Sequence, residues 1–195
     1  MEEDQKVKVT RTEIDDVYII EPRVFGDNRG WFMESYSQIK LTEAGIHCNF
    51  IQDNQSFSAN KGTLRGLHFQ LHPKAQAKIV RCTRGAILDV VVDIRKGSPS
   101  YKKWISVELS AENKKQLFIP KGFAHGFLTI TDDVEVQYKA DEYYAPEYDG
   151  NILYSDPEIG IKWGEGEFIL SEKDKGAPFL KERTDLNFVY EGGIK

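Results

Sequence analysis

Short β-favouring runs recur along this chain between clusters of turn residues, and no helical pattern is long enough to compete with them. The runs lie at 17–20, 31–36, 50–52, 64–70, 77–84, 86–94, 104–109, 116–119, 123–129, 134–138 and 152–154. Gly26-Asp27-Asn28, Lys96-Gly97-Ser98-Pro99 and Thr131-Asp132-Asp133 punctuate them, at roughly the 8–12 residue recurrence of a sandwich or barrel. Helical signals are confined to 37–44, with Gly45 placed to end the helix, and to a short piece at 156–159. The chain is therefore expected to be all-β with a few short helices. An antiparallel chain of this kind hides its edges by folding into a double-sheet jelly roll, and a ligand would sit between the sheets. With 195 residues and no repeat or linker, one domain spanning 1–195 is expected. Its core would run from about 7 to 180, with charged, loose ends at 1–6 and after Lys181.

The formal net charge of −5 argues against a general nucleic-acid binder and leaves room for a local basic pocket that takes an anionic small molecule. No segment has the apolar length of a membrane span, and Met1-Glu2-Glu3-Asp4-Gln5-Lys6 lacks the character of a signal peptide. A cytoplasmic protein without membrane contact is expected. Cys48 and Cys82 form no C-x-x-C, so neither a disulfide framework nor a zinc ribbon is indicated.

Within Thr63-Leu64-Arg65-Gly66-Leu67-His68-Phe69-Gln70, Arg65 and His68 stand three apart on one strand. An ideal pleat would point them to opposite faces, so Gly66 is expected to mark a bulge that brings both to one cavity. Histidine is the side chain best suited to move a proton near neutral pH; the alternative is a half-buried strand histidine that is only hydrogen-bonded. Pro120-Lys121-Gly122-Phe123-Ala124-His125-Gly126 matches the P-x-G-x-x-H half of the cupin pattern. The other half needs H-x-H, and here His68-Phe69-Gln70 stands in its place. His72 lies four residues further on, about 13 Å along an extended strand. That is too far for one ion unless the chain turns sharply at Leu71-His72-Pro73, so no catalytic metal is expected; no other cofactor is expected either.

Several ordered segments then point the same way: Val24-Phe25-Gly26-Asp27-Asn28-Arg29-Gly30, Gln52-Asp53-Asn54, Arg65 to Gln70, Val91-Val92-Asp93-Ile94-Arg95-Lys96, Leu109-Ser110-Ala111-Glu112-Asn113-Lys114 and Leu170-Ser171-Glu172-Lys173-Asp174. From about 19 to 180 the chain resembles the dTDP-4-dehydrorhamnose 3,5-epimerase family, cupin-like jelly rolls of dTDP-L-rhamnose synthesis. The resemblance implies His68 as catalytic base, Asp174 as the carboxylate that orients it, Tyr138 as the acid on the opposite face of the sugar, and Lys78 beside the C4 oxygen. It implies Arg65 and His125 as further sugar and phosphate contacts. Arg29, Glu34, Gln52, Asp53, Asn54, Asp149 and Lys173 match nucleotide-side positions, and Tyr144 matches the aromatic that stacks on thymine. A homodimer with exchanged N-terminal strands is implied as well, the nucleotide site being partly built from the partner chain.

These assignments make chemical sense without the family. A proton beside a ketone becomes removable when a preorganised cation meets the developing enolate oxygen, and Lys78 can supply one without a metal. A histidine base needs a partner to hold its tautomer, and inversion needs a donor on the other face, which a tyrosine hydroxyl can be. Arg29, Arg65 and Lys173 can meet a diphosphate. The structural alternatives are a core aromatic for Tyr138, a surface charge or helix cap for Asp174, and exposed strand charges for Lys78 and Arg65. Two departures from the family stand out. Ala77 stands where the family commonly has glycine before the pocket lysine, a methyl that should fit an ordinary strand geometry, the alternative being a narrowed pocket. Asp149 stands where some relatives carry glutamate at a nucleotide contact. The expected substrate is dTDP-4-dehydro-6-deoxy-D-glucose, inverted at C3 and C5. The alternatives are epimerisation at one carbon only, ketone isomerisation, or a non-catalytic sugar-nucleotide binding protein.

Overall fold

Two facing antiparallel sheets carry the fold. The computed structural model describes residues 7–192, so the charged stretch 1–6 lies outside the described residues. With strands numbered along the chain, one sheet has the order β1 (Lys8–Arg11), β2 (Tyr18–Glu21), β10 (Gln116–Ile119), β7 (Lys78–Arg84), β12 (Val134–Ala140), β5 (Gln52–Ser58). The other has the order β13 (Asp149–Asn151), β6 (Leu64–Gln70), β11 (Phe123–Thr129), β8 (Ala86–Asp93), β9 (Trp104–Ser110). A hairpin of β3 (Val24–Asp27) and β4 (Gly30–Met33) forms a two-stranded sheet of its own. The helices are α1 (Gln38–Glu43) and α2 (Glu172–Lys175). This is the all-β, cupin-like jelly roll the turn spacing calls for.

Alternation along the strands builds three apolar layers. Val80, Cys82, Ile87, Val91, Phe123, Phe127, Val134 and Val136 point inward and fill part of the space between the sheets. The outward residues of the five-stranded sheet, among them Leu67, Phe69, Val90, Val92 and Ala124, are covered by Ile159, Trp163, Leu180, Leu186 and Phe188. That is why β8 reads as an almost unbroken apolar run: both of its faces are buried. On the far side of the six-stranded sheet, Leu41 of α1 and Ile46 pack on Ile20, Ala77, Ile79 and Phe118. Ser37 caps α1 by accepting from the Lys40 N–H at 3.4 Å, and Gly45 leaves it with φ of +90°.

Four expectations change. The expected strand at 50–52 lies further along the chain, as β5 over Gln52–Ser58. The piece at 156–159 is a turn rather than a helix, because the Asp156 carboxylate takes the N–H groups of Glu158, Ile159 and Leu180 and so competes with helical bonding. The expected strand at 152–154 sits three residues earlier, as β13. The tail after Lys181 is not loose: Leu186 and Phe188 are buried in the outer layer, and Lys96 and Val189 pair in a parallel bridge. No helix among the described residues is long and apolar enough to cross a membrane.

Docking of the tail is testable by denaturation. Phe188→Ala is expected to cost about 3–5 kcal/mol, the usual loss for a buried phenylalanine, whereas exposed Val189→Ala should stay within about 0.5 kcal/mol. Equal, negligible effects would mean that the tail does not pack in solution.

Candidate active site

The cavity is organised by two glycines that let two backbones nearly touch. Gly66 has φ of +135°, and a Cβ there would lie 2.5 Å from the Gly126 Cα and 2.9 Å from the His125 carbonyl oxygen. The β6–β11 register slips here: His68 faces His125, whereas Arg65 faces Phe127. One extra residue on β6 is a bulge. It turns Arg65 and His68 to the same side, so that both line a cavity of about 430 Å³ between the sheets, within the usual range for a small-molecule site.

His68 Nε2 meets Asp174 Oδ1 at 2.6 Å. Asp174 arrives from α2, capped by Ser171, whose Oγ accepts the Asp174 N–H at 3.1 Å. The side chain is therefore both a member of a capped turn and 3 % exposed, which removes the surface-charge alternative. Burial by itself would raise the carboxyl, but the His68 hydrogen bond and charge, together with Ser171 and the Gly66 N–H, outweigh it and hold Asp174 below the usual carboxylate range. An ionised Asp174 requires the proton on Nε2, which leaves Nδ1 of His68 free to accept one.

Lys78 and Tyr138 approach from the opposite sheet. Both lie on inward positions, Lys78 in phase with Val80 and Cys82, Tyr138 in phase with Val134 and Val136, and the Lys78 ammonium stands 5.5 Å from the Tyr138 ring centre. Desolvation lowers Lys78 to about 8, against the pull of Asp149 and Asp89. Desolvation likewise raises the Tyr138 phenol, with Arg65 opposing, so the hydroxyl keeps its proton at neutral pH. The cavity thus has a carboxylate-bound histidine on one wall and a cation and a phenol on the other.

The same cavity takes in Arg65, His125 and Lys173. Lys173 is ion-paired with Asp149 at the rim, and Arg65 reaches Ser58 Oγ at 3.2 Å. Gln52, Asn54 and Ser56 alternate on one face of β5, and Gln52 Oε1 accepts the Tyr144 N–H at 3.2 Å, beside the exposed Tyr144 ring. Gln52, Asn54, Tyr144 and Asp149 adjoin the cavity without being part of its lining, and three further residues stand elsewhere. Asp53 is on the opposite face of β5 and pairs with Lys139 at 2.8 Å. Arg29, at the turn of the β3–β4 hairpin, pairs with Asp27, and Glu34 pairs with Lys40; neither lines the cavity of its own chain.

The sequence profile of the dTDP-4-dehydrorhamnose 3,5-epimerases matches residues 11–182. The chain belongs to that family. Its Escherichia coli (strain K12) relative, a dTDP-4-dehydrorhamnose 3,5-epimerase, is 52% identical over 185 residues, 94% of this chain and 100% of the relative. The Legionella pneumophila Philadelphia 1 enzyme, a dTDP-6-deoxy-D-glucose-3,5-epimerase solved with dTDP-4-keto-L-rhamnose, superposes with a TM-score of 0.91 at 44% identity, covering 95% of this chain and 100% of that one. ChmJ, a 3'-monoepimerase of Streptomyces bikiniensis solved with dTDP-quinovose, gives 0.86 at 34% identity, covering 92% of each chain.

Within this family frame, Ala77 does not narrow the pocket. It faces away from Lys78, packs in the outer apolar layer, and donates its N–H to Asp141 at 2.6 Å. Gln70, at the second-histidine position of the cupin pattern, is buried and holds the loop that carries Tyr144: it donates to the Lys74 and Tyr143 carbonyls and accepts from the Ala145 N–H. Asp89 escaped notice in the sequence; its carboxylate meets His125 Nε2 at 2.7 Å. The available signal was a charge in the middle of the apolar run of β8, a residue type that is rarely buried without a partner.

The lysine gives the site a pH signature. As pH rises through about 8, Lys78 loses its proton, and kcat/KM, which reports the free enzyme, should fall. Lys78→Met should lose about a hundredfold or more in kcat, as removal of an oxyanion donor does, while still binding dTDP. Unchanged turnover with only a higher KM would make Lys78 a binding residue and nothing more.

Proposed function

We propose that this protein is a dTDP-4-dehydrorhamnose 3,5-epimerase that inverts C3 and C5 of dTDP-4-dehydro-6-deoxy-D-glucose to give dTDP-4-dehydro-L-rhamnose. The observation that carries the reading is the His68–Asp174 pair, at 2.6 Å, facing Lys78 and Tyr138 across one cavity. His68 Nδ1 removes the proton from a carbon beside the C4 ketone, and Asp174 steadies the imidazolium that results. Lys78 balances the negative charge that moves onto the C4 oxygen. Tyr138 gives its hydroxyl proton to the other face of the same carbon, which inverts it, and the tyrosinate left behind stands near Lys78 and Arg65. Exchange with solvent resets both groups, and the sequence repeats at the second carbon. Arg65, Lys173 and His125 hold the sugar and diphosphate, with Gln52, Asn54 and Tyr144 toward the base.

For the partner, we propose a homodimer with exchanged N-terminal strands. Phe25, Trp31 and Phe32 of the β3–β4 hairpin are exposed, an apolar surface that a second copy would cover. Arg29, Glu34 and Asp53, which stand outside their own cavity, would then serve the neighbouring site. Light scattering should give twice the chain mass, and Trp31→Asp should dissociate it and raise KM; a wild-type monomer with full activity would refute this. A cytoplasmic location is part of the reading, in keeping with two free cysteines, Cys48 and Cys82.

The likeness to a monoepimerase makes the number of inverted carbons the point to measure. Incubation in deuterated water should place deuterium at C3 and C5 of an L-rhamno product seen by NMR. Label and inversion at one carbon would select the monoepimerase reading, and no label at all a binding protein. In His68→Asn, exchange should stop at both carbons; full exchange there would mean that another group is the base.

A further inference from the structure

On the same cavity wall, the cross-strand neighbour of His68 repeats its arrangement. His125 faces His68 across β6 and β11, and its Nε2 meets Asp89 Oδ1 at 2.7 Å, as His68 Nε2 meets Asp174. Asp89 is fully buried. Its second oxygen, Oδ2, makes no hydrogen bond among the described residues, although a buried carboxylate ordinarily has its acceptors filled. On β8 it is in phase with Ile87 and Val91, so it points into the space between the sheets, toward the wall that carries Lys78.

We propose that Asp89 is a positioning residue of this active site, fixing the His125 ring with Nδ1 toward the cavity and facing the Lys78 ammonium as a buried counter-charge. The proposal rests on the epimerase reading above. Several charged or titratable groups surround Lys78: Arg65 and His68 on β6, His125 on β11, Tyr138 on β12, Lys173 and Asp174 on α2, Asp149 on β13 and Asp89 on β8. Asp149 and Asp89 are the carboxylates that favour its charged form. Asp149 is already engaged by Lys173, and Asp174 by His68. Among the described residues, Asp89 is bonded only through Oδ1, and no lysine or arginine pairs with it. After Asp149, Asp89 is thus the second anion that opposes the desolvation of Lys78, and the one of the two that is fully buried. Its bond to His125 also dictates which ring nitrogen a sugar oxygen can meet: with the carboxylate ionised, the proton belongs on Nε2, and Nδ1 is left to the cavity.

Asp89→Asn keeps the shape and removes the charge. Without the anion, Lys78 gives up its proton at lower pH, so the alkaline limb of kcat/KM should move below its wild-type position near 8. At pH 7.5 kcat should fall about tenfold with KM within about twofold, less than the loss expected for deleting an oxyanion donor. Asp89→Glu should return the limb toward the wild-type position. A structural role alone would lower the melting temperature and leave the limb in place, which would overturn the proposal. Should the variants not fold, ¹⁵N NMR of histidine-labelled wild-type protein still decides the ring assignment: a His125 proton on Nε2 supports it, and one on Nδ1 alone overturns it. That spectrum needs no substrate, so it separates this proposal from the epimerase reading, which wild-type turnover tests by itself.

Discussion

Close approach of two strands at Gly66 and Gly126 is the constraint on which the site depends. A Cβ on Gly126 would stand 2.8 Å from the Arg65 carbonyl oxygen, so neither glycine can carry a side chain without forcing β6 and β11 apart. The approach permits the bulge that turns Arg65 and His68 to one side. It also aims the Gly66 N–H at Asp174, tying the carboxylate partner of His68 to the same point of the backbone. Strand pairing thus sets the position of His68, and no loop has to hold it.

Electrostatics follows from how the two walls are built. The five-stranded sheet and α2 carry histidines bound to carboxylates, while the six-stranded sheet carries a lysine and a tyrosine. Desolvation acts on the two groups of that second wall in opposite directions: it lowers Lys78 and raises Tyr138. At neutral pH the result is an ammonium beside a neutral phenol, an electrophile next to an acid, opposite a histidine with one free nitrogen. A ketone placed between the walls would meet a base on one face and a proton donor on the other.

Much of the fold was legible in the sequence because its strands are short and sharply bounded. The runs 64–70, 116–119 and 123–129 coincide with β6, β10 and β11. β1 and β3 were missed because they are largely exposed and offer little alternation to read. The tail after Lys181 looked loose because its charges outnumber its anchors, yet Leu186 and Phe188 suffice to dock it. Within the site, the bulge at Gly66 could be read from local chemistry alone. The pairing of His68 with Asp174, 106 positions away, could not, since nothing in spacing brings them together; that link came from resemblance to the family. Asp89 belonged to neither source and needed the structure.

The opposed-face mechanism is the central claim, and one variant tests it most directly. Tyr138→Phe removes only the hydroxyl, so the cavity, the His68–Asp174 pair and the nucleotide contacts should persist. In deuterated water His68 should still take and return protons from its own face, and label should enter the sugar while inversion fails, most visibly at C5. Formation of the L-rhamno product at the wild-type rate by Tyr138→Phe would contradict the account and leave Tyr138 as an aromatic wall of the cavity.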